Sequence, residues 1–262
     1  FTFLYIITSD IFVFLIIKKI ISRGWPLYFL FISYIFVQAF LDGNMMWFDN
    51  ALVLPILWGF FLFLSWLDQK EDRDLYLTSL SLTLAALIKQ TAVIYYFVFF
   101  IYVVARPFRG RLTSLVKILI IPGLSSLIFV VYLAISGSFK DFWNWTFYYP
   151  VFFWSKFPGY KDFSLETSEI LVSSALVLPL FLTLLNFGKL TKEKGFIFAF
   201  LLFIASVLAI FPRFSYFHLQ PTIAILFLLF SYLSKAVSAN QRKVLAGLVA
   251  LAVYVSIKII LP

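Results

Sequence analysis

The 262-residue chain is 63% apolar and 13% charged, with a formal net charge of +9. Together with a mean hydropathy of +1.01, this excludes a soluble globular domain. Cysteine is absent and His218 is the only histidine, which removes disulfides, thiolate zinc sites, thiol catalysis and any multi-histidine metal centre.

Several apolar runs approach the length of a spanning helix and lack the alternation of barrel strands. The expected fold is therefore all-α, a polytopic membrane protein forming one transmembrane domain over residues 1–262. Ten segments are expected, at 1–17, 26–41, 49–67, 75–88, 90–105, 117–135, 170–187, 195–211, 215–234 and 244–261. Phe1 opens inside the first of them with no charged n-region before it, which predicts a chain that begins further upstream.

The first run carries Asp10, whose expected role is a hydrogen bond to a neighbouring helix. Asp42 and Asp49 then flank LDGNMMWFDN at the mouth of segments two and three. Asp49 precedes an apolar run and suits a helix cap. The other reading pairs the two carboxylates around a divalent cation or an acceptor amine or hydroxyl. Lys89 and Gln90 break the run from Tyr76 to Ala105 into two short helices that turn together. Lys89 either snorkels at the interface or meets a phosphate as a point charge.

Residues 136–169 form a long connection dense in Trp, Tyr and Phe. Two readings remain open for it, a belt of interfacial anchors and a lid over lipid-linked substrate. The last polar stretch is FPRFSYFHLQP, Phe211 to Pro221. Its prolines end one helix and open the next. The following run is short for a crossing of about 30 Å, so Arg213, Tyr216 and His218 are expected at the membrane surface. Arg213 suits a bidentate phosphate clamp. His218 is either a second donor to the same group or a packed interfacial histidine.

Alternate loops differ in charge. The loops at one end hold 15 basic residues against five acids, and the rest of the chain holds six against seven. By the positive-inside rule the basic loops are cytoplasmic. Asp42–Asn50, the Lys89–Gln90 tip, 136–169 and the Arg213/His218 stretch then face outward. The +9 charge thus reflects topology rather than nucleic-acid binding. No GxGxxG, Walker or HExxH motif occurs.

Four stretches resemble the GT-C membrane glycosyltransferases, in particular bacterial relatives of the protein O-mannosyltransferases and the lipid A aminoarabinose transferases. They are SDIFVFLIIKKIISRGWP, DGNMMWFDNALVLPILWGFFLFLSW, LAALIKQTAVIYYFVFFIYVVAR and PRFSYFHLQPTIAILFLL. The third is similar to that superfamily's helix pair broken by a TKxTA-type turn, and the fourth to its PRYxxPxLP-type external turn. In order they cover most of the chain up to about residue 234.

The resemblance implies sugar transfer from a polyprenyl-phosphate donor to a lipid or protein acceptor, at the outward face of a bacterial plasma membrane. Members of the superfamily usually invert the anomeric centre and use an acidic residue of the first external loop. Matched by order, this chain starts at the family's third helix, so that loop is expected upstream. Asp42 and Asp49 are the catalytic candidates within the chain itself. Arg213, His218 and Lys89 are the candidate donor-phosphate ligands, with Gln90 and Tyr216 beside them on the substrate. No cofactor is expected unless Asp42 and Asp49 hold a divalent cation. The alternatives are a lipid-linked sugar flippase or transporter, which usually needs internal repeats and midplane polar groups, and an O-antigen-type polymerase.

The topology is tested by single cysteines on the cysteine-free background. Lys140→Cys and Lys161→Cys should react with an impermeant reagent in intact cells, and Lys192→Cys and Arg242→Cys should not. Labelling at position 192 would invert the assignment.

Overall fold

The computed structural model describes residues 2–41, 43, 45–105, 111–157, 167–210 and 216–260. The described residues are all-α and contain no strand. In chain order the helices are α1 (Thr2–Ile21), α2 (Trp25–Phe40), α3 (Phe48–Gln69), α4 (Asp72–Ile88), α5 (Val93–Ala105), α6 (Arg111–Ser136), α7 (Phe139–Trp143), α8 (Tyr149–Phe152), α9 (Thr167–Leu185), α10 (Phe187–Leu190), α11 (Phe196–Leu208), α12 (Gln220–Ala236) and α13 (Ala239–Ile260). Each of the ten apolar segments read from the sequence overlaps one of the longer helices, most of which run a few residues beyond it. The aromatic connection after α6 also winds into helix, with a π-helical turn at Asn144–Tyr148 and a 3-10 turn at Trp154–Lys156.

The centre is α12. Every residue from Gln220 to Ser234 is buried, and α1, α2, α3, α9 and α11 all pack against it. Apolar residues run all round it, as expected of a helix enclosed on every side. Pro221 lies in its first turn, where no backbone N–H is required. On the flank, Phe63 of α3, Phe99 of α5 and Phe198 of α11 close into an aromatic cluster, the Phe63 and Phe198 centroids 4.4 Å apart.

Two internal prolines tie helices together. Pro55 of α3 has no N–H for the carbonyl four residues back, Ala51, and the Tyr5 hydroxyl of α1 donates to that oxygen instead. Pro122 of α6 frees the carbonyl of Ile118 in the same way. The hydroxyls of Ser79 in α4, at 2.6 Å, and Tyr96 in α5 both donate to it. In an apolar interior each freed carbonyl needs such a donor.

Among the described residues, α3 and the Thr113–Ser136 part of α6 are long and apolar enough to cross a membrane. They differ in surroundings, since α3 is mostly enclosed by other helices and α6 has little of its length buried. Leu127, Ile128, Tyr132 and Ile135 of α6 are all exposed. The 16-, 13- and 17-residue α2, α11 and α12 span less than about 27 Å at 1.5 Å per residue.

Helices α3 and α4 approach closely at Gly59, where a Cβ would lie 3.2 Å from Leu82 Cδ2 and 3.5 Å from Ser81 Cβ. Gly59→Leu should push the pair apart and destabilise the protein by about 1–3 kcal/mol, the usual cost of overpacking. Thermal unfolding in detergent checks this, and an unchanged midpoint would mean that the α3–α4 contact yields freely.

Candidate functional site

Three separate segments bring Asp49, Lys89 and His218 together. Asp49 sits in the first turn of α3, where the helix dipole favours a carboxylate. The backbone at Lys89 is extended, with φ −149° and ψ 129°, and breaks the chain between α4 and a 3-10 turn at Gln90–Ala92. His218 lies in the 3-10 turn Tyr216–Leu219 that leads into α12.

Lys89 Nζ lies 2.7 and 2.9 Å from the two Asp49 oxygens, and His218 Nδ1 lies 2.6 Å from Oδ2. A carboxylate oxygen accepts, so the Nδ1 of His218 carries the proton and donates it. Lys89 Nζ is also 3.4 Å from Nδ1. An ammonium has only donors, so that approach is a juxtaposition of two N–H donors sharing one carboxylate. The side chains of Asp49, His218 and Lys89 are 7%, 11% and 20% exposed, which shields the cluster from most of the water.

The helix-cap reading of Asp49 is corrected here. The α3 N-cap position is Trp47, without a side-chain capping bond, and both Asp49 oxygens turn to Lys89 and His218. The snorkelling reading of Lys89 fails for the same reason, because its ammonium is bound to a buried carboxylate. Asp42 and Arg213 lie outside the described residues, and so does the side chain of Tyr216. No group of three or more His, Asp or Glu side chains is arranged to hold a metal ion among the described residues.

Gln90 faces a different space. With Leu87, Ile88, Val93, Phe129 and Phe142 it lines a groove of about 560 Å³ between the α4–α5 tip, α6 and the aromatic segment. Phe142 packs edge-on against Phe129, with centroids 5.0 Å apart, and Phe147 continues the wall. Trp143 and Trp145 point outward, 58% and 61% exposed. The described part of the 136–169 segment thus has one side that walls a groove and another open to its surroundings.

Beyond a neighbouring-helix partner for Asp10, sequence reasoning did not name the polar contacts between α1, α2 and α12. Asp10 interacts with the Gln38 side chain of α2, the neighbouring-helix partner expected of it. Gln220 Nε2 donates to the carbonyls of Gln38, at 3.2 Å, and Leu41, which closes the free C-terminal end of α2. The available signal was that Gln38 and Gln220 are amides within otherwise apolar runs, each needing a partner.

Comparison of this chain with protein families, with curated proteins and with solved structures finds no match.

Removing Asp49 strands a largely buried ammonium. Asp49→Ala should cost about 1–3 kcal/mol, less than the about 3–5 kcal/mol of a fully buried broken pair because Lys89 keeps some solvent access. Asp49→Ala combined with Lys89→Met should regain part of that loss. Unfolding midpoints in detergent decide it, and a single variant as stable as the parent would show the pair to be energetically idle.

Proposed function

We propose that the chain is the polytopic membrane core of a GT-C-type glycosyltransferase, drawing on a polyprenyl-phosphate sugar donor at the outer face of a membrane. The observation that carries this reading is the two-sided turn at Ile88–Lys89–Gln90. Lys89 joins Asp49 and His218 in a charged cluster, and its neighbours Ile88 and Gln90 line the apolar groove. A lipid phosphate divides in the same way, into an anionic head and a hydrocarbon tail. Membrane residence is supported by α6, whose apolar flank is far too bare for water.

In this reading Asp49 is a positioning residue. Both its oxygens are engaged by N–H donors, which makes it a poor acceptor for a substrate proton. It aims two cationic or proton-bearing groups at one place. Lys89 keeps one of its three N–H bonds for a donor phosphate oxygen, and Arg213 adds a planar fork. The acceptor hydroxyl or amine attacks the anomeric carbon while the bond from that carbon to the phosphate oxygen breaks. Negative charge grows on the departing phosphate, where fixed cations stabilise it. The acceptor's proton passes to a carboxylate other than Asp49, and Asp42 is the outer candidate in this chain.

Transfer rate against donor concentration, measured on the complete protein, is the test. Arg213→Ala and Lys89→Ala should each lose about ten- to a hundred-fold in kcat/KM, the equivalent of about 1.5–3 kcal/mol for a charged hydrogen bond. Arg213→Lys should fall between, keeping the charge without the fork. Ser126→Trp, which fills the groove, should raise KM for a long-chain donor more than for a short-chain one. Normal turnover by folded Arg213→Ala and Lys89→Ala variants would remove the phosphate site from this face.

A further inference from the structure

The opposite end of α12 carries a second charged cavity that sugar transfer does not use. It holds about 340 Å³ and is lined by Lys19 of α1, Lys192 and Lys194 of the turn before α11, and Lys235 of the last turn of α12. Asp68 and Glu193 lie among them. Asp68 is 3.0 Å from Lys194 Nζ and 3.5 Å from Lys19 Nζ, and Glu193 pairs with Lys235. Lys192 makes no ion pair among the described residues. Four ammonium groups therefore meet two carboxylates, leaving two positive charges around one cavity.

The turn that carries Lys192 and Lys194 is also fixed by its neighbours. Tyr232 of α12 donates its hydroxyl proton to the Lys194 carbonyl at 2.8 Å. Gly195 has φ +79°, and a Cβ there would lie 2.2 Å from Leu64 Cδ2 and 2.8 Å from the Tyr232 oxygen. Glycine is thus the residue that lets the Lys192–Lys194 turn close down on α3 and α12. Lys19 is fixed as well, donating to Ser65 Oγ at 3.0 Å. Like charges gathered on a clamped turn favour the approach of an anion.

We propose that this cavity binds a phosphate group, from an anionic membrane lipid or from a free phosphate compound, on the basic face of the protein. A phosphate carries the one to two negative charges that the lysines lack, and several ammonium groups can donate to its oxygens at once. The site is independent of the glycosyl-transfer reading, standing about 25 Å away along the 17 residues of α12.

The probes are inorganic pyrophosphate and phosphatidylglycerol, each added to the full chain in an uncharged detergent at low salt. Calorimetry reads the first, and native mass spectrometry against phosphatidylcholine reads the second. Lys192→Gln breaks no ion pair among the described residues and should fold normally, yet weaken binding about tenfold or more, one charge-assisted hydrogen bond being lost. Lys192→Glu should abolish it. Loss of pyrophosphate binding in these variants supports a soluble phosphate ligand, and loss confined to phosphatidylglycerol supports a lipid headgroup. Binding of neither probe, or equal binding by parent and both variants, overturns the proposal. So does pyrophosphate binding that Arg213→Ala removes and Lys192→Gln leaves intact, since the anion then sits at the outer end.

Discussion

Full enclosure of α12 is the constraint on which the rest of the structure depends. A helix that is buried along fifteen consecutive residues, from Gln220 to Ser234, can neither slide nor rotate without opening the core. Its ends therefore act as fixed points. Just before it, His218 is delivered to Asp49. At its far end, Tyr232 and Lys235 are delivered to the basic turn at Glu193 and Lys194. Gln220 also supplies N–H groups to the last carbonyls of α2, so the same helix terminates a neighbour.

The α4–α5 tip is held by a different device. Lys89 would wander on a free hairpin, but Ser79 and Tyr96, one on each arm, both donate to the Ile118 carbonyl released by Pro122. On the other flank Ser81 donates to the carbonyl of Pro55 at 2.6 Å, and Gly59 admits Leu82 into close contact. Prolines that look like flaws in apolar helices thus supply the acceptors that fix the hairpin. Where few polar groups compete, each such bond is directional and hard to exchange.

Charge is distributed with the same economy. At the Asp49 end one carboxylate gathers a lysine and a histidine from distant parts of the chain, and little positive charge is left over among the described residues. At the basic end carboxylates are outnumbered by lysines. The two ends therefore present different electrostatics to anions, a compact directional cluster on one side and a broader positive field on the other.

The sequence by itself determined the helical class, the approximate positions of the ten main helices and the polar turns between them. These follow from local periodicity, proline placement and composition, all of which act over a few residues. It also singled out Asp49, and grouped Lys89 with His218 as candidate phosphate ligands without placing Asp49 beside them. Their meeting was beyond it, because residues 40 to 169 positions apart are joined only by how α3, α4 and α12 pack. For that reason Asp49 read as a cap or as a partner of Asp42, and Lys89 as a snorkelling side chain or a phosphate ligand, each a role that a residue can fill without the other. Only the tertiary structure decided that the two neutralise each other, that Gln90 looks into a separate apolar groove, and that lysines from three elements encircle one cavity. Burial and long-range contact set those outcomes, and neither quantity is a property of a residue and its sequence neighbours.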